Sequence, residues 1–430
     1  MKKAVISNRI YLEIDPVLFP ELDKALTYKI ESYKRDAAPI IIKNLRTIRP
    51  GLVSMPVGRT DLIPAGYEII DKRVNLPVNF PEFKFTLRPS QQDVYDSIEG
   101  NAVINAFVSW GKTFTALAIA AKLGQKTLVV THNVALREQW EKEVKKVFGI
   151  TPGVIGSSKY NIDSDIVIGN VQTLYKLRGQ IEKQFGTLIV DECHHIPANT
   201  FSKLIDASYA TNKIGLSGTV ERKDGKHVMM PDYFGHTKFT PPRENYMPPT
   251  IDIIRSKIRF MDGARIPWAN RVNDLVSQEE YGKLVCFLAA AYKRMGHKVL
   301  LLSDRVYFLK RIQETLGDHC ELITGEVKGE EREKKLQRVK NGEVEILLGT
   351  QSIFSEGISV NPLSCLILAT PVNNTPLLTQ LIGRVIREHP GKIQPVIVDI
   401  NLIGKTAEKQ AKLRLGHYLR EKYETNFKDY

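Results

Sequence analysis

Two short stretches of the chain carry side chains suited to phosphate chemistry. Asp191-Glu192-Cys193-His194-His195 follows the apolar run Thr187-Leu188-Ile189-Val190, and Gly111-Lys112-Thr113 lies upstream at the start of a predicted helix. A buried strand ending in Asp-Glu delivers two carboxylates to the rim of a sheet. A Gly-Lys-Thr turn delivers backbone N–H groups, an ammonium and a hydroxyl to such a rim. Together they make a place for a nucleoside triphosphate and Mg²⁺. Lys112 would meet the β- and γ-phosphates, Thr113 and Asp191 the cation, and Glu192 would orient and polarise the attacking water. Taken singly, Gly-Lys-Thr is an ordinary helix start and Asp-Glu a pair of solvated carboxylates. The apolar strand running straight into the carboxylates, downstream of the loop, favours the joint reading.

The strict phosphate-loop pattern G-x-x-x-x-G-K-[ST] fails at its first position, which is Ala106 in Ala106-Phe107-Val108-Ser109-Trp110-Gly111-Lys112-Thr113. A strand, a tight turn and a helix start remain. Trp110 inside this loop has no ready explanation from sequence. Cys193-His194-His195 is a poor zinc site, because adjacent side chains share a metal badly and spaced partners are missing. His194 reads instead as a contact coupling the nucleotide to its surroundings. Further on, Gln380, Arg384 and Arg387 stand in Gln380-Leu381-Ile382-Gly383-Arg384-Val385-Ile386-Arg387. Arginines three apart on a helix share one face, and two guanidinium groups facing a cleft would clamp a γ-phosphate. The plain alternative is two surface arginines.

The elements needed to position these groups can be traced along the chain. Up to residue 85 there are short strands (4–6, 10–14), a predicted helix over 19–33 and turn-rich segments, which reads as a small α+β accessory domain. From residue 86 strand and helix alternate. Strands are predicted at 102–108, 127–130, 165–168, 187–190 and 213–216, and helices at 112–123 and 135–148. Such alternation implies a parallel sheet covered on both faces. Pro241-Pro242 and Pro248-Pro249 bracket a polar stretch read as the linker. A second alternation follows, with strands at 299–302, 321–323, 346–348, 365–369 and 394–400 and helices at 307–316 and 330–340. A basic helix is predicted over 405–424, and 255–278 stays unassigned. The expected architecture is α/β: a small α+β accessory domain over 1–85 and two tandem parallel-sheet domains over 86–245 and 246–430, whose order of elements resembles RecA-like domains.

Composition narrows the class. The chain has 430 residues, 61 Lys+Arg against 48 Asp+Glu and a formal charge of +13, an excess that favours a polyanion such as nucleic acid. The four cysteines, Cys193, Cys286, Cys320 and Cys365, show no paired spacing and read as reduced thiols. Lacking a signal-peptide pattern or a membrane-spanning apolar run, the chain is expected in the cytoplasm of a prokaryotic or phage-infected cell.

Asp-Glu-x-His and Q-x-x-G-R-x-x-R, in this order on two α/β units, resemble the superfamily 2 helicases and translocases of the DExH type. The likeness spans residues 87–395. Leu87-Arg88-Pro89-Ser90-Gln91 is similar to the L-R-x-Y-Q segment of that family, which implies that Gln91 reads adenine, with Arg88 beside it and Ser90 in place of the tyrosine. Ser109 stands where many helicases carry glycine. The resemblance implies nucleotide contacts from Ser109, Trp110, Gly111, Lys112, Thr113 and Gly357. It implies nucleic-acid contacts from His132 and Asn133 (in Leu128–Leu136, with Thr131 for the usual proline), from Gln172 and Thr173, and from Thr324, Gly325 and Thr350. His194, Ser217 and Thr219 would link hydrolysis to strand movement. Phe354-Ser355-Glu356-Gly357-Ile358-Ser359 is similar to F-x-E-G-[IL]-D, with Ser359 replacing the aspartate. The segment from Gly215 to Gly225 is most similar to the XPB-like and UvsW-like group, and the length resembles phage branch-migration helicases.

The function this implies is an ATP- and Mg²⁺-dependent helicase, acting as a monomer on duplex, forked or branched DNA through the phosphate backbone. An RNA helicase, or an ATPase-impaired nucleic-acid-binding protein, is the alternative. A restriction-complex motor would need a nuclease that this chain lacks.

Overall fold

In the computed structural model, residues 2–30, 38–195, 199–218, 225–263, 266–327, 329–355, 358 and 360–430 are described. The chain divides into two compact units, Met1–Arg243 and Glu244–Tyr430.

The first unit is built on a sheet in the order Lys159–Tyr160, Gly153–Gly156, Ile166–Asn170, Thr127–Thr131, Thr187–Val190, Asn212–Ser217, Ala102–Asn105, Lys238–Phe239. All pairings are parallel except that of Lys159–Tyr160. The central strands are buried from end to end, as expected for a sheet covered on both faces. Parallel strands share one carboxyl edge, so the loops after Asn105, Thr131, Asn170, Val190 and Ser217 emerge side by side.

A five-stranded N-terminal sheet, ordered Arg46–Arg49, Leu52–Pro56, Arg9–Glu13, Lys3–Ile6, Glu68–Asp71, belongs to the same unit. Two carboxylates of the α/β part hold it. Asp206, near the end of the Asn199–Ala207 helix, accepts from Arg9 at 2.9 Å and Arg46 at 3.2 Å, and its backbone oxygen accepts from Asn8 at 2.8 Å. Asp232, in the Met230–Phe234 helix, accepts from the Tyr28 hydroxyl at 2.7 Å, Asn44 at 2.5 Å and Arg59 at 3.4 Å. Between these anchors the backbones meet directly: Gly58 donates to the Asp232 oxygen at 3.0 Å. A Cβ at Gly58 would lie 2.2 Å from the Pro231 oxygen, so only glycine fits there.

The helix expected over 19–33 is shorter than its pattern. It stops at Ala25, and Thr27–Ile30 pairs antiparallel with Ile40–Lys43. Thr27, Tyr28 and Ile30 favour a pleated strand, and tertiary pairing overrides the helical continuation; residues 31–33 lie outside the described set.

The second unit has an all-parallel sheet ordered Cys320–Ile323, Ile346–Thr350, Val299–Ser303, Cys365–Leu368, Val396–Ile403, Thr250–Arg259, Glu424–Asp429. The stretch 255–278 has a structural role: its first residues complete the Thr250–Arg259 strand, and Trp268–Ser277 is a helix burying Val272, Leu275 and Val276 in the core. The C-terminal helix ends at Arg420 and is followed by the Glu424–Asp429 edge strand, where a helix to 424 was expected. Among the described residues no helix is long and apolar enough to cross a membrane.

One buried cation gives the first unit a pH signature. Lys213, at the amino end of its strand, is fully buried and donates to the Ser208 oxygen at 2.9 Å and the Ile205 oxygen at 3.3 Å. It therefore caps the carbonyl end of the Asn199–Ala207 helix. Burial pushes its ammonium down to about 7 from 10.5. Between those values the unfolded chain binds the proton and the folded chain does not, so stability rises with pH across that window. Melting of the wild type and of Lys213→Met at pH 7 and pH 9 checks this. The wild type should gain on the variant at the higher pH, and an equal gap at both values would contradict the assignment.

Candidate nucleotide site

The site grows from two adjoining features of the first sheet. The apolar strand Thr187–Val190 ends at Asp191, and the Ala102–Asn105 strand turns through residues 106–111 into the Lys112–Leu123 helix. Gly111 caps this helix with φ +88°, a conformation costly for any residue with a Cβ. A Cβ there would also come within 2.7 Å of the Gln91 side-chain nitrogen. Ser109 adopts φ 80° as well, the physical reason that glycine suits its position. Ala106, the departure from the strict loop pattern, is fully buried, and its carbonyl accepts from the Lys112 ammonium at 2.9 Å.

Trp110 finds its explanation here. Its side chain is fully buried, and its indole N–H donates to the Ser90 hydroxyl at 2.8 Å. The side chain is thus packed inside the unit, and the expected nucleotide contact of Trp110 falls to its backbone in the loop. The Trp110 carbonyl accepts from Gln91 at 2.8 Å and from Arg88. Gln91 accepts the Arg88 backbone N–H at 3.0 Å with its other end. Expected to read adenine, Gln91 is buried here, with both ends of its amide engaged in bracing the loop.

Asp191 is buried, and burial together with the adjoining Glu192 carboxylate pushes its carboxyl up to about 6. The hydrogen bond from Trp140, the Lys112 charge and the Glu192 backbone N–H pull the other way. The indole of Trp140 donates to Asp191 Oδ2 at 2.8 Å, and the Glu192 N–H donates to Oδ1 at 3.0 Å. Glu192 sits at φ 48°, a strained backbone of the kind that collects at functional sites. His194 Nδ1 lies 3.0 Å from the Ser217 hydroxyl and 3.3 Å from Glu192 Oε2, so it joins the carboxylate to the neighbouring strand. A Cβ on Gly218 would be 3.5 Å from the Lys112 ammonium, which places that charge beside the Ser217-Gly218 turn. Thr219 and Gly357 lie outside the described residues.

Along the same edge, the Asn133 side chain caps the Val134–Phe148 helix, accepting from Leu136 N at 2.8 Å, and its amide nitrogen lies 3.1 Å from His132 Nε2. Gln172 donates to the His132 oxygen at 3.4 Å, bringing two of the predicted nucleic-acid segments together, with Thr173 next in the chain.

In the second unit, Thr324 directly follows the Cys320–Ile323 strand and Thr350 ends the neighbouring one, with Ile323 registered against Gly349. Thr324 is buried, and the space beside Gly325 is open. Gln380 lies in the Thr375–Ile382 helix. The expectation that Arg384 and Arg387 share a helix face does not hold. The helix stops at Ile382, Arg384 stands in the turn after it, and Arg387 forms an isolated bridge with Tyr246. Val385 and Ile386 are drawn into the core, which pulls the chain out of helical register. The Arg384 guanidinium donates to the Phe354 oxygen at 2.7 Å and the Ile358 oxygen at 3.1 Å.

In chemical terms, the first unit assembles an ammonium, helix-start N–H groups and two carboxylates at one sheet edge, a set able to hold a polyphosphate and a hard cation. Comparison with known proteins agrees. Residues 84–222 match the family model "Type III restriction enzyme, res subunit", and residues 280–389 match "Helicase conserved C-terminal domain". A probable helicase D10 of Escherichia phage T5 is 42% identical over 98% of this chain and 95% of its own length. The chain belongs to the superfamily 2 helicases. A putative ATP-dependent RNA helicase, L396 of Acanthamoeba polyphaga mimivirus, is 28% identical, covering 95% of this chain and 83% of that protein. The ATP-dependent DNA helicase uvsW of Enterobacteria phage T4 is 27% identical over 60% of this chain and 53% of its own length. As a helicase of this family the protein is an ATP-using enzyme that binds nucleic acid.

The loop conformation yields a paired expectation. Gly111→Ala should weaken ATP binding by about tenfold or more, since a left-handed alanine costs on the order of 1–2 kcal/mol before the clash with Gln91. Ser109→Gly should leave binding intact and raise the melting temperature. Calorimetric titration and thermal denaturation of both variants check this.

Proposed function

We propose that this helicase moves on duplex, forked or branched DNA, in branch migration or fork remodelling, and that ATP hydrolysis takes place at the Lys112–Asp191–Glu192 edge. The observation that carries the reading is the meeting at one sheet edge of Lys112, Asp191, Glu192, His194 and Ser217 with the His132–Gln172 pair. Catalytic and nucleic-acid groups are thereby supported by adjacent strands.

In this proposal Lys112 and the N–H groups from Ser109 to Thr113 hold the phosphates, with Arg88 and Gln91 bracing the loop beneath them. Glu192 orients and polarises the attacking water. Gln380, Arg384 and Arg387, with Gly357, are assigned to the same reaction, the guanidinium groups stabilising charge at the γ-phosphate. His194, Ser217 and Thr219 transmit the change. His132, Asn133, Gln172, Thr173, Thr324, Gly325 and Thr350 grip backbone phosphates, so binding should be salt-dependent and largely indifferent to sequence. The division of labour is residues 1–85 as a DNA-binding accessory domain, 86–245 as the ATP-binding domain and 246–430 as its partner, working as a monomer.

Mg²⁺ fits the donors present. The buried Asp191 charge is destabilised by burial and by Glu192, and a divalent cation would relieve it; Thr113 adds a hard hydroxyl oxygen. When bound, the cation would neutralise charge on the β- and γ-phosphates.

DNA is favoured by the uvsW relative, whereas the mimivirus relative's name supports RNA as the second reading. ATPase stimulation and strand displacement on linear duplex, fork, four-way junction and RNA duplex decide between them. Forked or branched DNA should stimulate most, and equal stimulation by RNA would establish the second reading. Lys112→Ala should lower turnover by about two to three orders of magnitude while retaining DNA binding. Wild-type turnover in that variant would refute the site.

A further inference from the structure

Trp140 is the unexpected member of the site. By sequence it lies just beyond the Leu128–Leu136 segment that resembles a nucleic-acid contact. In the structure its ring is fully buried, and its indole N–H is spent on Asp191 Oδ2 at 2.8 Å. A buried indole normally finds an acceptor for its N–H, but here the acceptor is the carboxylate that ends the Thr187–Val190 strand. With the Glu192 N–H on Oδ1, each carboxylate oxygen receives one donor, which fixes the plane of the group and its free lone pairs.

The helix that carries Trp140 connects Asp191 to the predicted nucleic-acid face. Val134–Phe148 starts at Asn133, whose side chain caps it. One turn ahead of Trp140, Arg137 donates to Asn170 Oδ1 at 2.8 Å and to the Ser157 hydroxyl at 3.1 Å. Asn170 in turn donates to Thr131 Oγ1 at 3.4 Å and directly precedes the helix that carries Gln172 and Thr173. Thus the turn bearing His132–Asn133 and the start of the helix bearing Gln172–Thr173 are both tied to the Val134–Phe148 helix, and that helix holds the carboxylate.

We propose that Trp140 is a positioning residue: its indole N–H orients Asp191 for the divalent cation, and the Val134–Phe148 helix transmits nucleic-acid engagement at residues 132–133 and 172–173 to that carboxylate. The proposal rests on the nucleotide-site reading above. It assigns Trp140 no contact with nucleotide or nucleic acid. A contiguous chain of hydrogen bonds is the physical route for such coupling, and coupling is what must be measured.

The test uses the full-length protein with two replacements of Trp140. Trp140→Phe keeps an aromatic ring and removes the N–H. Incorporating benzothienylalanine at position 140 keeps the bicyclic shape and replaces the N–H by sulfur, so that packing is preserved if phenylalanine disturbs it. Mn²⁺ affinity in the presence of ADP is read by the EPR signal of free Mn²⁺, and DNA affinity and the DNA-stimulated to basal ATPase ratio are read in parallel. Both replacements should weaken Mn²⁺ binding by about tenfold, the range found for lost outer-sphere hydrogen bonds. They should lower the stimulation ratio and leave DNA affinity within about twofold of wild type, a pattern that simple loss of packing would not produce. Wild-type Mn²⁺ affinity in the benzothienylalanine protein would overturn the orienting role, and an unchanged stimulation ratio would overturn the relay. Turnover surviving Lys112→Ala would instead remove the nucleotide site itself, an outcome distinct from both.

Discussion

A carboxylate buried at the end of a strand organises the first domain. Taking Asp191 out of water is unfavourable unless its charge is met by donors or cations. The surrounding architecture supplies them: the Trp140 indole from one helix, the Glu192 N–H from the next peptide and the Lys112 ammonium at the start of another helix. Each partner comes from a different element, and the parallel sheet is what brings these elements to one edge. The strained backbones of Glu192 and Ser109 and the left-handed Gly111 cluster along that edge, where chain direction must reverse within a few residues.

Much of this could be read from residue order. The run from Thr187 to Val190 is too short and apolar to be anything but a buried strand, and the Lys112–Leu123 helix is framed by Gly111 and Gly124, both left-handed in the structure. Local pattern failed where a long-range partner decided the outcome. Thr27–Ile30 leaves the helix because Ile40–Lys43 is there to pair with it. Arg384 and Arg387 lose their common face because Val385 and Ile386 are claimed by the core and residue 387 pairs with Tyr246. The substitution of Ser90 for tyrosine and the odd tryptophan at position 110 looked unrelated twenty residues apart. They are one hydrogen-bonded pair, a relation no spacing rule would reveal.

The N-terminal sheet illustrates a further limit of pattern reading. Its strands alternate well enough to suggest a separate domain, yet its polar groups are spent on Asp206 and Asp232 and its backbone meets Asp232 at Gly58. Those acidic residues lie on the helices that follow the Asp191–His194 and Ser217–Gly218 turns respectively. The N-terminal sheet is thus bonded to the elements that leave the sheet edge bearing Asp191 and Ser217, and the two sheets form one unit.

The placement of the tryptophans also gives the protein an optical asymmetry. Of the three in the chain, Trp110 and Trp140 are buried in one core cluster of the first unit, one bonded to a hydroxyl and the other to a carboxylate, while Trp268 packs against Phe260 in the other unit. Indole emission responds to nearby charge, so two of the chain's three intrinsic reporters sit in the first unit, one of them hydrogen-bonded to the Asp191 carboxylate.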